Sequence, residues 1–134
     1  MRDDDIKLTE LAAELGRRLL TKNLKLATAE SCTGGWIAKC LTDIAGSSGW
    51  FDRGFITYSN AAKSAVLQVQ EKTLAEQGAI SEAVVREMAA GALTHSAATV
   101  AVLHATTTSL LPARSNTRVT ATLRPRRSSG VLSP

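Results

Sequence analysis

Two clusters in this 134-residue chain hold side chains suited to chemistry. The first is Ser31-Cys32-Thr33-Gly34-Gly35. It follows a predicted strand and opens a predicted helix, where backbone N–H groups and the positive end of the helix dipole meet, the makings of an anion site. Small residues let a phosphate approach the backbone, and the hydroxyls of Ser31 and Thr33 add donors. The spacing is neither that of a P-loop nor that of Gly-x-Gly-x-x-Gly, and the same run also serves as a plain cap after a tight turn. The second cluster is Ser47, Ser48, Tyr58 and Lys63. A serine becomes nucleophilic only beside a base.

The two histidines, His95 and His104, read as structural, which leaves Lys63 as the candidate base. It falls early in a helix capped by Ser59. A cation there opposes the helix dipole, and partial burial lowers its proton affinity further. The bland alternative is a solvated surface lysine. Tyr58, just before that helix, is placed to orient or relay the proton. Cys32 at a helix start is a second candidate nucleophile, ranked behind serine, and Cys40 reads as core. Residue physics alone does not separate Ser31 from Ser48. Trp36, Trp50 and Phe51 read as packing residues.

The elements that position these groups follow from periodicity. Ile6, Leu8, Leu11, Leu15, Leu19 and Leu20 recur at helical spacing, predicting a helix over 5–22. Strands are predicted at 24–28, 54–58 and 99–103, and helices at 36–44, 60–69 and 71–77. A last helix begins at Ser81, with Val84, Val85, Met88, Ala89 and Leu93 on its apolar stripe. This alternation argues for an α/β layered fold. Residues 119–123 alternate and suit one further strand. The rest of 105–134, rich in Arg, Ser and Pro, carries no core face, so a divergent, poorly ordered basic tail is expected there.

Composition narrows the function classes. Hydrophobic residues make up 44% and charged residues 21%, ordinary values for a globular domain. All twelve Asp and Glu lie before residue 88, and the basic residues after it are all Arg. The net charge of +4 therefore belongs to the tail and not to a domain face, which argues against nucleic acid as the partner. No apolar run reaches membrane-span length. The charged start, Met1 to Lys7, is not a signal peptide, and two cysteines without Cys-x-x-C spacing make no metal or redox motif. A reducing cytoplasm is the expected location.

Three stretches, in this order and at these separations, resemble the CinA C-terminal domain family, the nicotinamide-nucleotide amidases. They are Thr-Ala-Glu-Ser-Cys-Thr-Gly-Gly (28–35), Gly-Ser-Ser-Gly-Trp-Phe-Asp-Arg-Gly-Phe-Ile-Thr-Tyr-Ser-Asn-Ala-Ala-Lys (46–63) and Gly-Ala-Ile-Ser-Glu-Ala-Val-Val (78–85). The resemblance covers about residues 5–102. It implies a three-layer α/β/α sandwich, a single domain over 5–104 that is incomplete at its C-terminus. It also implies hydrolysis of nicotinamide mononucleotide to nicotinic acid mononucleotide and ammonia, with no metal or organic cofactor. By position it makes Ser48 the nucleophile, Lys63 the base and Tyr58 the supporting hydroxyl. Thr28, Ser31, Thr33, Gly34 and Gly35 then line the nucleotide pocket. A small-molecule nucleotide is the implied partner, and a homo-oligomer is compatible with the family.

Beyond residue 103 the family's Gly-rich loop is replaced by Ala-Thr-Thr-Thr (105–108), so an activity impaired by the altered C-terminus is expected. The alternative is a non-catalytic CinA-like domain that binds a nucleotide or a partner.

Overall fold

The computed structural model describes residues 2–105 and 118–123. Among the described residues ten elements follow the helix–strand order that the periodicity predicts, and a four-stranded sheet sits between two helical layers. Helix α1 (Asp3–Thr21) leads into β1 (Leu26–Glu30), α2 (Trp36–Thr42), a 3-10 turn (Ser47–Gly49) and β2 (Phe51–Ile56). Three helices follow, α3 (Asn60–Leu67), α4 (Glu71–Gln77) and α5 (Glu82–Thr94), before β3 (Val100–Ala105) and β4 (Arg118–Leu123).

The strand order is β2-β1-β3-β4. β1 pairs in parallel with β2 and with β3, and β4 runs antiparallel to β3. β1 is buried along its whole length, as a central strand covered on both faces must be. Its side chains alternate. Leu26 faces the cluster of Ala12, Leu19, Leu41 and Trp50 under α1 and α2, whereas Ala27 and Ala29 face Val84, Val85 and Met88 on α5. β3 repeats the division, with Val100 and Val102 on the first side and Ala101 and Leu103 on the second. Alanines on the second face bring α5 close to the sheet.

The sequence placed the strands slightly out of register. The first is Leu26–Glu30 rather than 24–28, and β2 ends at Ile56, before Tyr58. The further strand expected at 119–123 is β4. The expectation of a poorly ordered tail otherwise falls on 106–117 and 124–134, outside the described residues. Trp50 packs under α1 as expected, but Trp36, expected to pack, is 52% exposed. Among the described residues no helix is long and apolar enough to cross a membrane.

Candidate active site at the carboxyl ends of the parallel strands

The chain leaves β1 through α2 on one face of the sheet and reaches β3 through α3–α5 on the other. The neighbouring strands β1 and β2 thus send their connections to opposite faces, which part between the carboxyl ends of these two strands, the crevice where parallel α/β sheets bind their ligands. The chain beyond β2 stays registered against β1, because Thr57 N–H donates to the Glu30 carbonyl at 2.9 Å. That bond sets the next turn beside Ser31. Ser59 then caps α3, its hydroxyl accepting Ala62 N–H at 3.0 Å, and the helix turns Lys63 inward.

Lys63 is 3% exposed. Its Nζ lies 3.3 Å from Ser31 Oγ and donates to the Tyr58 backbone carbonyl at 3.2 Å. Burial lowers its proton affinity below the ordinary lysine range, and a charge on nearby Cys32 acts in the opposite sense. A buried amine that holds its proton less tightly than usual, within reach of a serine hydroxyl, is suited to act as that hydroxyl's base.

The pairing of Ser48 with Lys63 expected from the sequence is not the one the fold makes. Ser48 is exposed in the 3-10 turn Ser47–Gly49, before β2, whereas Lys63 follows the far end of that strand. Six residues of strand separate the two ends, or roughly 20 Å at a rise of about 3.3 Å per residue. Ser31 takes the place beside the amine. Tyr58 also enters differently: its phenol stands on a side chain 72% exposed, and its backbone carbonyl, not its hydroxyl, touches Lys63.

Just beyond the anion cradle expected at 31–35, the start of α2 is met by the protein's own carboxylate. Glu30, 0% exposed, accepts the N–H groups of Ile37 and Ala38 at 2.9 and 3.1 Å. These are amides at the start of α2 that a phosphate would otherwise take. Gly34 N–H donates to Ser31 and Trp36 N–H to Thr33 within the turn. The two glycines answer to backbone geometry, with φ of +59° at Gly34 and +99° at Gly35, a region that costs other residues. Thr28, expected in the nucleotide pocket, is fully buried. Its hydroxyl lies 2.7 Å from where a Cβ on Gly54 would sit, and it has no hydrogen-bond partner among the described residues, nor has that of Thr33.

Sequence reasoning passed over Glu30. The signal was there: an acid closing a strand, a few residues before a helix that lacks an Asp or Glu in its first turn. Its role gives a stability prediction. Glu30→Gln should cost about 1–3 kcal/mol, the usual penalty for weakening hydrogen bonds to buried donors, read as a lower urea midpoint with an unchanged slope. A variant as stable as the parent would show that the carboxylate does not hold α2.

His104, expected to be structural, closes the crevice on the β3 side. It pairs with Glu30 across the sheet, and its Nδ1 stands 4.0 Å from Cys32 Sγ. Among the described residues no group of three or more His, Cys, Asp or Glu is placed to hold a metal ion.

The family model described as the CinA C-terminal domain matches residues 8–108. The nicotinamide-nucleotide amidohydrolase PncC of Escherichia coli K12 is 55% identical over 98 residues, 73% of this chain and 59% of that protein. Its counterpart in Enterobacter agglomerans is 59% identical over 96 residues, 72% of this chain and 58% of that protein. This chain thus spans less than two thirds of the length of these curated relatives. Among solved structures, a competence/damage inducible protein of Agrobacterium tumefaciens superposes with a TM-score of 0.75 at 37% identity, over 87% of this chain and 79% of the other. A CinA-superfamily protein of Escherichia coli gives 0.77 at 28%, over 90% and 79%.

Proposed function

This chain belongs to the CinA C-terminal domain family, and from that premise we propose that it is an amidohydrolase that removes ammonia from the carboxamide of a pyridine mononucleotide. The observation that carries the reading is the buried Lys63 amine 3.3 Å from Ser31 Oγ. The names of the relatives supply the substrate class, a nicotinamide nucleotide, taken in this proposal as nicotinamide mononucleotide hydrolysed to nicotinic acid mononucleotide.

In this reading Ser31 is the nucleophile. Its oxygen attacks the carboxamide carbon while the neutral Lys63 amine takes the hydroxyl proton, and the resulting ammonium gives that proton to the leaving amide nitrogen, which departs as ammonia. Water then attacks the acyl-serine with Lys63 again as base, releasing the carboxylate and restoring Ser31. Tyr58 helps through its carbonyl, which fixes the rotamer of Lys63. No metal or organic cofactor is needed for any step. Residues 109–134 lie outside the family match, so slower turnover is expected than in the relatives that carry the whole pattern.

The test is ammonia release from nicotinamide mononucleotide across a pH series, alongside the Escherichia coli relative. The rate should rise with pH through a single ionisation below the ordinary lysine value, because only the neutral amine accepts the proton. A rate independent of pH over that window would remove Lys63 as base, and no release at any pH would leave a binding domain. The same burial has a sign for stability. The folded chain sheds the Lys63 proton before the unfolded chain does, so the contribution of Lys63 to stability is smallest below its folded pKa and grows as pH rises toward the unfolded value.

A further inference from the structure

We propose that Cys32, paired with the His104 imidazole, is a modification site that forms mixed disulfides with small-molecule disulfides, and that a group attached there closes the crevice over Ser31 and Lys63. The crevice brings the two side chains together across 72 positions of sequence, with Sγ 4.0 Å from Nδ1. An unprotonated Nδ1 at that range accepts the thiol proton as the sulfur becomes a nucleophile.

The chain carries its own control. Cys40 is also half-buried and neither cysteine is in a disulfide, so exposure does not distinguish them. Their neighbours do. Burial, and after it the Asp43 carboxylate, push the Cys40 thiol up, toward its unreactive protonated form. Cys32 instead faces an imidazole, with Sγ 4.0 Å from His104 Nδ1.

The step balances without any further reagent. The Cys32 thiolate attacks one sulfur of the small disulfide, and a bond forms between that sulfur and Sγ. The original S–S bond breaks, and its second sulfur leaves as a thiolate, which takes the proton held by His104. Cys32 is oxidised and the leaving thiol reduced. Cys32 adjoins Ser31 in the chain and lies near enough to the Lys63 amine to influence it, and in the proposal the new substituent covers that pair. The reactivity of Cys32 is independent of the amidase reading, whereas the loss of turnover rests on it.

The experiment treats the full chain with glutathione disulfide, and in parallel with iodoacetamide, and follows each cysteine by peptide mass mapping. Cys32 should react about tenfold or more faster than Cys40. His104→Asn should slow Cys32 by a similar factor and leave Cys40 unchanged. Ammonia release should fall in step with occupancy of Cys32 by glutathione and return on reduction. Equal rates at the two cysteines, or a Cys32 rate indifferent to His104→Asn, would overturn the proposal. So would full turnover by a chain fully modified at Cys32. Absence of ammonia release before treatment would count against the amidase reading alone, and the ratio of the two cysteine rates would still decide this one.

Discussion

Replacing Ser31 with Ala should lower the rate of ammonia release by about 10³-fold or more, and Lys63→Met should do nearly the same, because a nucleophile and its base act as a unit. The double variant should then be little worse than either single one. The expectation rests on distance and burial. Lys63 Nζ is 3.3 Å from Ser31 Oγ, and it also donates to a backbone carbonyl that takes no part in proton transfer. Methionine preserves most of the length of the lysine stem, so the fold should survive, as circular dichroism would check. Ser48→Ala is the contrasting variant. Its side chain is exposed at the opposite end of β2, and its loss should change the rate by about twofold at most, in line with surface substitutions away from a site. Activity that vanished in Ser48→Ala but survived in Ser31→Ala would restore the pairing implied by the sequence resemblance and remove the one proposed here.

Gly91→Ala should destabilise the chain by roughly 3 kcal/mol or more, a large part of the stability of a domain this size. The sign is what makes the experiment informative. In an isolated helix the same change is stabilising by about 1 kcal/mol, since alanine has the higher helix propensity. Here a Cβ on Gly91 would lie 2.1 Å from the Leu67 carbonyl oxygen, 2.8 Å from its carbon and 2.9 Å from its Cα. All three are backbone atoms at the end of α3, so no rotamer change relieves the clash. The Leu67 side chain is itself fully buried, which ties that segment to the core. α3 would have to move away from α5, and Lys63 rides on α3. The variant should therefore lose turnover along with thermal stability. A raised melting temperature would mean that α3 and α5 do not approach this closely.

Much of this architecture was legible because it is local. Ser59 and Ser81 cap their helices with their own hydroxyls, three residues from the amides they bind, and such caps stand in the sequence as a polar residue before an apolar stripe. Val84, Val85, Met88, Ala89 and Leu93 are buried on α5 as their spacing predicts, since a helix that must cover a sheet has only one face to offer. The Gly34-Gly35 pair marked a turn, and the turn is there, with both φ angles positive. The sequence by itself thus determined the alternation of helix and strand, the helix boundaries set by serine caps, and the turn that carries the candidate side chains Ser31 and Cys32 out of the first strand.

Only the tertiary structure decided which groups meet. Ser31 reaches Lys63 across 32 positions and Cys32 reaches His104 across 72, and no periodicity encodes such distances. Ser48 and Lys63 are closer in sequence than Ser31 and Lys63, yet a strand lies between them, and an extended strand is the most effective spacer a chain has. Parallel pairing does the opposite for Ser31: it aligns the carboxyl ends of β1, β2 and β3, so the residue leaving one strand meets the helix that follows another. Glu30 shows the same effect on a smaller scale. An acid that reads as one more polar residue of a turn becomes, once β1 is buried and α2 folds back over it, the anion that fills the helix start, because a buried carboxylate must find donors and those amides are within its reach.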